Sequence, residues 1–401
     1  MLEFDAARRP VVSIVMITYG GWELARQALE SVRALTDHPY EVIVVDNAST
    51  DGTAARLSRE VAGAEVLLNS KNHGFGVACN QGAAVARAPF LLFLNSDTIV
   101  QPGWLPPLFE ALTDETVAAA GPQFLNADGS LQEAGALVLP TGGTVLHGHG
   151  ERADLAEFRF RRLVDYVSAA CLIVRRSLFN DLGGFDPVYG LGYYEDVDLC
   201  FTLRRCGYRV VYEPRSVVTH VRRGSQTDDS AIELATRNQA IFYERWKHEL
   251  IGRPEEFRPE NRRQGYALRD AQAPERILAL GTTVPSRDDR GTALLQNLVA
   301  RWPEGRVTFL AAREEEHANA LEDLLNLGVE AAVLNNGERW FNDRRFHYDT
   351  VIFLDPSAAD SFGPLLSYTQ PQASRLLIGR DARVTDGSIR ILELEPFPRE
   401  V

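Results

Sequence analysis

The chain has 401 residues, 45% of them hydrophobic, and a formal net charge of −13. That length accommodates two or three domains with substantial cores, and the acidic balance excludes a general nucleic-acid binder, whose footprint is a basic surface. A nucleotide is not excluded, because a metal can bridge an acidic pocket to a diphosphate.

VVSIVMITY (11–19) is a continuous apolar run rich in β-branched residues, the pattern of a buried parallel strand. Trp22 to Leu35 carries apolar positions at helical spacing. YEVIVVD (40–46) is the next strand and stops at NASTDG, a turn-rich cluster. Thr53 to Val61 reads as a helix, AEVLLNS as a third strand, the Gly-punctuated KNHGFG as a turn, Val77 to Arg87 as a helix and PFLLFLNSD (89–97) as a fourth strand. Alternation of this kind implies a parallel sheet covered on both faces. Residues 121–165 carry scattered glycines and short strand candidates. VDYVSAACLIVRR (164–176) reads as a further strand leading into a short helix, and residues 183–214 as a long loop, a helix starting near Glu195 and a strand. A helix from about Ser230 to Leu250 closes a first domain of residues 1–252. Residues 253–274 are charged, contain Pro and have no clear period, and read as a linker. A second, smaller α/β domain spans 275–401, where ERILALGTTV, RVTFLAA, VEAAVLN, YDTVIFLD and SRLLIG alternate with helical patterns.

Cys79, Cys171, Cys200 and Cys206 form no C-x-x-C pair and no zinc spacing, as expected of thiols in a reducing compartment. MLEFDAARRP lacks the apolar stretch of a secretory signal, and no run approaches the ~18 apolar residues of a membrane span. A cytoplasmic protein is expected.

Ligands of an open α/β sheet bind beyond the carboxyl ends of its strands, and polar groups collect there. Thr18 and Tyr19 end the first strand, Asp46 and Asn47 the second, Asn72 follows the third, and Asn95, Ser96 and Asp97 end the fourth. Taken singly, Asp46 or Asp97 also suits a cap, and NHGFG also suits a plain tight turn. Their convergence at four successive strand ends is the stronger signal. Glu195 and Asp196 at a helix start are by default partners of its dipole, and an isolated His220 is by default structural.

Taken in order, VSIVMITY, VVDNASTDGT, NHGFGVACNQG, FLNSD, GGFDPVYGLGYYEDVDLC and THVRRGS resemble the signature of the family 2 glycosyltransferases with a GT-A fold, in particular the rhamnosyl- and galactofuranosyltransferase-like branch, over roughly residues 11–250. The resemblance implies an α/β GT-A nucleotide-binding domain with a mostly parallel central sheet. It implies metal-dependent, inverting transfer from a UDP- or dTDP-sugar to a hydroxyl of a glycan or lipid-linked acceptor. Carried over residue by residue, Thr18, Tyr19 and Asp46 sit around the nucleotide, and Asn72 and Asn80 shape the donor pocket. Asn95-Ser96-Asp97 takes the place of the family's Asp-x-Asp motif with Asn in its first position. Asp97 is then the main carboxylate on a divalent metal, Mn²⁺ or Mg²⁺, with Asn95 and Ser96 as donor contacts. His220 supplies an imidazole ligand, which suits Mn²⁺ better than Mg²⁺. Asp196 becomes the general base and Glu195 orients the acceptor, while Tyr193 and Tyr194 line its cleft. Asp198 reads as a helix-face or capping residue, and SAAC (168–171) borders the donor sugar. Arg204 or Arg205 either faces the diphosphate or lies on a solvated face.

A lipid-linked acceptor would bring such a protein to the inner face of the membrane as a peripheral partner. Residues 275–401 resemble the N-terminal half of a GT-B glycosyltransferase, which implies a Rossmann-like, non-catalytic domain. It is either a piece of a longer multi-domain transferase or an acceptor-binding or assembly module. A nucleotide-sugar pyrophosphorylase would want a Gly-rich basic loop that ITYGGWELAR does not supply. A non-catalytic scaffold is at odds with retention of both Asp97 and Asp196.

Overall fold

The computed structural model describes residues 1–5, 7–221, 229–254, 262–285, 290–302, 305–312, 318–334, 337–378 and 389–392. The chain divides into two compact units, one of residues 1–153 and 162–255, the other of residues 154–161 and 256–401.

The first unit begins with β1 (Leu2–Glu3), β2 (Val12–Thr18), α1 (Trp22–Leu35), β3 (Tyr40–Asp46), α2 (Thr53–Glu60), β4 (Val61–Ala62), β5 (Glu65–Leu68), α3 (Phe75–Val85) and β6 (Phe90–Asn95). These bounds lie close to those expected from the apolar periods. β2 is buried along its whole length. It pairs in parallel with β3 on one side and β6 on the other, and β3 pairs in parallel with β5. Helix α3 lies close against β2 because residue 82 is Gly: a Cβ there would stand 2.4 Å from Val15 Cγ1.

The unit continues with β7 (Thr98–Val100), α4 (Leu105–Ala111), β8 (Val117–Leu125), β9 (Leu131–Glu133), β10 (Ala136–Val138), β11 (Thr144–Leu146), β12 (Arg162–Leu163), β13 (Cys171–Arg175), α5 (Arg176–Asp181), α6 (Glu195–Arg205), β14 (Arg209–His220) and α7 (Asp229–Trp246). Among the described residues its main sheet has ten strands, with β12-β14-β8-β13-β6-β2-β3-β5 as the path and β7 and β9 attached to β14 and β8. β13 runs antiparallel to both its neighbours, so the sheet is mixed rather than purely parallel.

The strand expected over 164–176 is confined to Cys171–Arg175. The preceding residues have other partners. Val164 N–H donates to Val210, Asp165 N–H to Ala136, and the Asp165 carboxylate takes the Val138 N–H at 2.8 Å and the Arg253 guanidinium at 2.6 Å.

In the second unit α8 (Arg262–Arg269) leads into β15 (Arg276–Gly281), α9 (Arg290–Arg301), β16 (Arg306–Ala311), α10 (Ala318–Asn326), β17 (Glu330–Val333), α11 (Gly337–Asp343), β18 (Thr350–Phe353), α12 (Pro356–Thr369), β19 (Ser374–Ile378) and β20 (Ile389–Leu392). Among the described residues six parallel strands lie in the order β17-β16-β15-β18-β19-β20.

The reading of 253–274 as a linker needs correction here; 255–261 lie outside the described residues. Residues 262–269 form α8, and two charges of the stretch, Arg269 and Asp270, are buried. Arg269 pairs with Asp270 at 2.6 Å and Glu330 at 2.9 Å, Arg306 with Asp270 at 3.1 Å, and Arg344 with Glu330 at 2.8 Å. Buried charges persist when each has such partners.

Candidate active site

Strands β2, β3 and β6 release the chain at one edge of the first sheet, over a cavity of about 690 Å³ lined by Tyr19, Asn47, Asp51, Asn72, Ser96 and Asp97, among others. Thr18 and Asp46 stand behind that wall rather than on it. Asp46 is 1% exposed. Its carboxylate accepts from Thr18 Oγ1 at 2.9 Å, from Ser49 N–H at 3.0 Å and from the Ser49 hydroxyl. Ser49 Oγ in turn takes the Gly20 N–H at 2.6 Å, and Asp51 takes the Gly21 N–H at 2.8 Å. The carboxylate expected to meet the nucleotide thus organises the loops, and the exposed Asp51 lines the cavity instead. Asn47 Nδ2 donates to Asn72 Oδ1 at 2.8 Å, and Asn47 Oδ1 accepts from Asn69 and from the His73 N–H. Asn72, an expected donor contact, is therefore held in place from the neighbouring strand end.

Asn80 is not at the cavity. Its amide closes two bonds on the Phe185 backbone, at 2.8 and 2.9 Å, and so pins the GGFD turn. Neither arginine of α6 faces the cavities either. Arg204 pairs with Asp165 at 3.1 Å, and Arg205 lies over the Trp246 ring.

The adjoining cavity, about 770 Å³, is lined by Tyr193, Tyr194, Glu195, Asp196, His220 and residues 168–170, with a face of α7 opposite. Phe75, Asn95, Asp97 and Leu191 line both cavities. At this shared wall β7 pairs Thr98 with His220 of β14. The register brings Asp97 Oδ1 to 3.2 Å from His220 Nε2.

Asp196 accepts from Ala169 N–H at 3.0 Å through Oδ2 and from Val197 N–H at 2.9 Å through Oδ1. SAAC thus borders the same cavity as Asp196 and helps to aim it. Glu195 is buried, and its Oε2 has no hydrogen-bond partner among the described residues. Burial, then the neighbouring Asp196, pushes the Glu195 carboxyl up to about 8, and burial also raises Asp196. Two adjacent buried carboxyls resist carrying two charges. Asp196, with two N–H donors on its oxygens, is the better holder of the charge, and Glu195 of the proton.

The loop before this pair is strained. Tyr193 and Tyr194 both have positive φ, 70° and 76°, a conformation that costs roughly 1–3 kcal/mol at each non-Gly residue. Helix α7 offsets it. Asn238, fully buried, shares its amide hydrogens among the carbonyls of Tyr189 (2.7 Å), Gly192 (2.7 Å) and Tyr193 (3.0 Å). The Tyr194 hydroxyl donates to Gly142 O at 3.0 Å. Asp198 is a structural anchor: it accepts from the Tyr189 hydroxyl at 3.0 Å, Trp246 Nε1 at 2.7 Å and Arg245 at 2.7 Å. Nothing local in the sequence marks Asn238 as part of the site.

A pH dependence follows from Glu195. A carboxyl raised from 4.5 to about 8 in the fold gives stability that is complete below its unfolded value and is lost as pH rises through the folded value. The melting temperature of the wild type should therefore fall between about pH 4.5 and 8 more steeply than that of Glu195→Gln. Parallel melting curves for the two proteins across that range would remove the buried proton from Glu195.

Residues 13–183 match the family model described as Glycosyl transferase family 2. The chain is 31% identical over 260 residues to the N-acetylglucosaminyl-diphospho-decaprenol L-rhamnosyltransferase of Mycobacterium tuberculosis, covering 58% of this chain and 83% of that protein. It is 28% identical over 252 residues to uncharacterized protein y4gI of Sinorhizobium fredii, covering 59% of this chain but only 28% of that relative. A crystal structure of GalNAc-T7 with UDP, GalNAc and Mn²⁺ is similar at a TM-score of 0.49 and 18% identity, covering 60% of this chain and 49% of that one. The family match runs from β2 through α5, taking in the strand ends that line the first cavity, and the alignment takes in most of the rhamnosyltransferase; the chain belongs to glycosyl transferase family 2.

Proposed function

We propose that the first unit is a divalent-metal-dependent, inverting glycosyltransferase that moves a sugar from a UDP- or dTDP-sugar to a hydroxyl of a glycan or lipid-linked acceptor. The observation that carries this reading is the shared wall: Asp97 faces His220 between two cavities, and Asp196 stands in the second of them. The donor set fits a cation. A carboxylate oxygen and an imidazole nitrogen 3.2 Å apart suit Mn²⁺ or Mg²⁺. Among the described residues no group of three or more His, Cys, Asp or Glu gathers as a metal site, so the remaining coordination falls to donor phosphates and water. When bound, the cation neutralises the departing diphosphate as a Lewis acid.

Tyr19, Asp51 and Asn72 then hold the nucleoside, with Asn47 holding Asn72 in place, and Asn95 and Ser96 the donor beside the diphosphate. Asp196 removes the proton of the acceptor hydroxyl. The acceptor oxygen bonds to the anomeric carbon as the bond to the diphosphate breaks on the opposite face. Tyr193 and Tyr194 border the acceptor, and Glu195, carrying its proton, can donate a hydrogen bond to it. The rhamnosyltransferase relative, by its name, acts on a decaprenol-linked diphosphosugar, which supports a lipid-linked acceptor met at the inner face of a membrane. No helix among the described residues is long and apolar enough to cross a membrane. The strand order of the second unit supports a Rossmann-like reading, and we assign it no part in the chemistry.

Titration calorimetry of the full chain with UDP and with dTDP, in Mn²⁺ and in EDTA, tests the proposal. At least one nucleotide should bind in Mn²⁺ and lose about tenfold or more of its affinity in EDTA. Equal affinity in both conditions would remove the metal from the site.

A further inference from the structure

His220 can coordinate through Nε2 only if its ring proton is held elsewhere, and the first unit contains a device that holds it. Gln132 lies on β9, 1% exposed. β8 pairs with β9 and β14 near its carboxyl end, with Leu125 opposite both Leu131 and Thr219, so that Gln132 comes against His220. Gln132 Nε2 donates to Asn126 Oδ1 at 3.0 Å and to the His220 carbonyl at 3.1 Å. The orientation of Asn126 is itself set, because its Nδ2 donates to Ser130 Oγ at 2.9 Å and to Leu131 O at 3.3 Å. Both amide hydrogens of Gln132 are thereby engaged, and its Oε1 is left facing His220 Nδ1 at 2.9 Å.

An amide oxygen only accepts. The hydrogen must therefore sit on Nδ1, and the lone pair of the neutral ring falls on Nε2, 3.2 Å from Asp97 Oδ1. The opposite tautomer would put a hydrogen on Nε2 and close a bond to Asp97, a self-satisfied pair that competes with a cation. We propose that Gln132 is a positioning residue that locks His220 in the Nδ1–H tautomer and so keeps the Asp97–His220 pair open to a divalent metal. The inference rests on the metal reading of that pair. The outer partner of a ligating imidazole typically governs 10–100-fold of metal affinity.

The test uses the full chain, Mn²⁺ titrated in the presence of UDP and followed by electron paramagnetic resonance, together with long-range ¹H–¹⁵N spectra of the imidazoles in metal-free protein at alkaline pH. The His220 signal, assigned by its loss in His220→Ala, should show the Nδ1–H form in the wild type. Gln132→Leu should shift it toward Nε2–H and weaken Mn²⁺ about 10–100-fold. Gln132→Glu, which keeps an acceptor oxygen toward Nδ1 while giving up the amide N–H donors to Asn126 and the His220 carbonyl, should keep the Nδ1–H form. A wild-type ring in the Nε2–H form overturns the proposal without recourse to any variant, and so does Gln132→Leu with wild-type tautomer and affinity. Mn²⁺ affinity unchanged in His220→Ala would sink the metal reading instead, while the tautomer spectra would still decide the role of Gln132.

Discussion

Asp196→Asn is expected to lower turnover about 10²–10⁴-fold while leaving the affinity for nucleotide and Mn²⁺ nearly unchanged. The substitution removes the basic lone pair and the charge, and Asp196 lines the second cavity but not the first. It also disturbs the support of the group. The carboxylate accepts one N–H on each oxygen, from Ala169 and from Val197, and Asn turns an NH₂ against one of them. Loss of such a partner costs about 1–3 kcal/mol when buried, so the melting temperature must be recorded beside turnover. Asp97→Asn should behave differently, weakening metal and donor together, because Asp97 faces His220 at the wall common to both cavities. The pair of variants separates chemistry from binding. Near-wild-type turnover in Asp196→Asn would reduce Asp196 to a helix-terminal residue, a role that Asn fills well. Because burial raises the Asp196 carboxyl, the acid limb of the wild-type rate profile should lie above the usual aspartate range, with activity rising as pH rises through it.

Gly74→Ala should damage both halves of the site at once. Gly74 has φ 87° and ψ 164°, a region that is essentially restricted to glycine. A Cβ there would lie 2.0 Å from the Gly190 carbonyl oxygen and 3.0 Å from Leu191 Cα. The turn that carries Asn72 packs directly on the loop that precedes Tyr193 and Tyr194, and Phe75 N–H donates to Leu191 O at 3.1 Å. The backbone conformation costs roughly 1–3 kcal/mol, and the forced displacement roughly as much again. If the two turns part by about 1 Å, misplacement of the reacting groups costs on the order of 10²-fold in rate. Nucleotide affinity should fall too, since Asn72 lies on the displaced turn and is bonded to the Gly74 N–H at 2.8 Å. Wild-type kinetics and melting temperature for Gly74→Ala would show that the two turns work independently.

Much of this was written locally in the chain. The runs at 12–18, 40–46 and 90–95 became β2, β3 and β6 because uninterrupted β-branched and apolar residues followed by turn clusters leave few alternatives within a few residues. The strand ends that line the first cavity were legible for the same reason, and so were the Glu195–Asp196 pair at a helix start and the order of the family motifs. Which polar atom faces the cavity was not. Asp46 and Asn47 are adjacent and both polar, and only the packing of the 46–51 loop on Gly20 and Gly21 turns the carboxylate inward to Ser49 and Thr18. Asn80 reads as a pocket residue until Phe185, 105 positions away, takes both ends of its amide. Gln132 meets His220 across 88 residues through the register of three strands. Arg269 and Asp270 resemble linker charges until Glu330 and Arg306, 61 and 36 positions on, neutralise them in the interior. The sequence by itself determined the elements and the chemical types at their ends, because periodicity and turn chemistry act over a few bonds. Only the tertiary structure decided which of those groups are spent on one another and which remain for a ligand, because a polar atom's partner is set by sheet register and helix packing far from it in the chain.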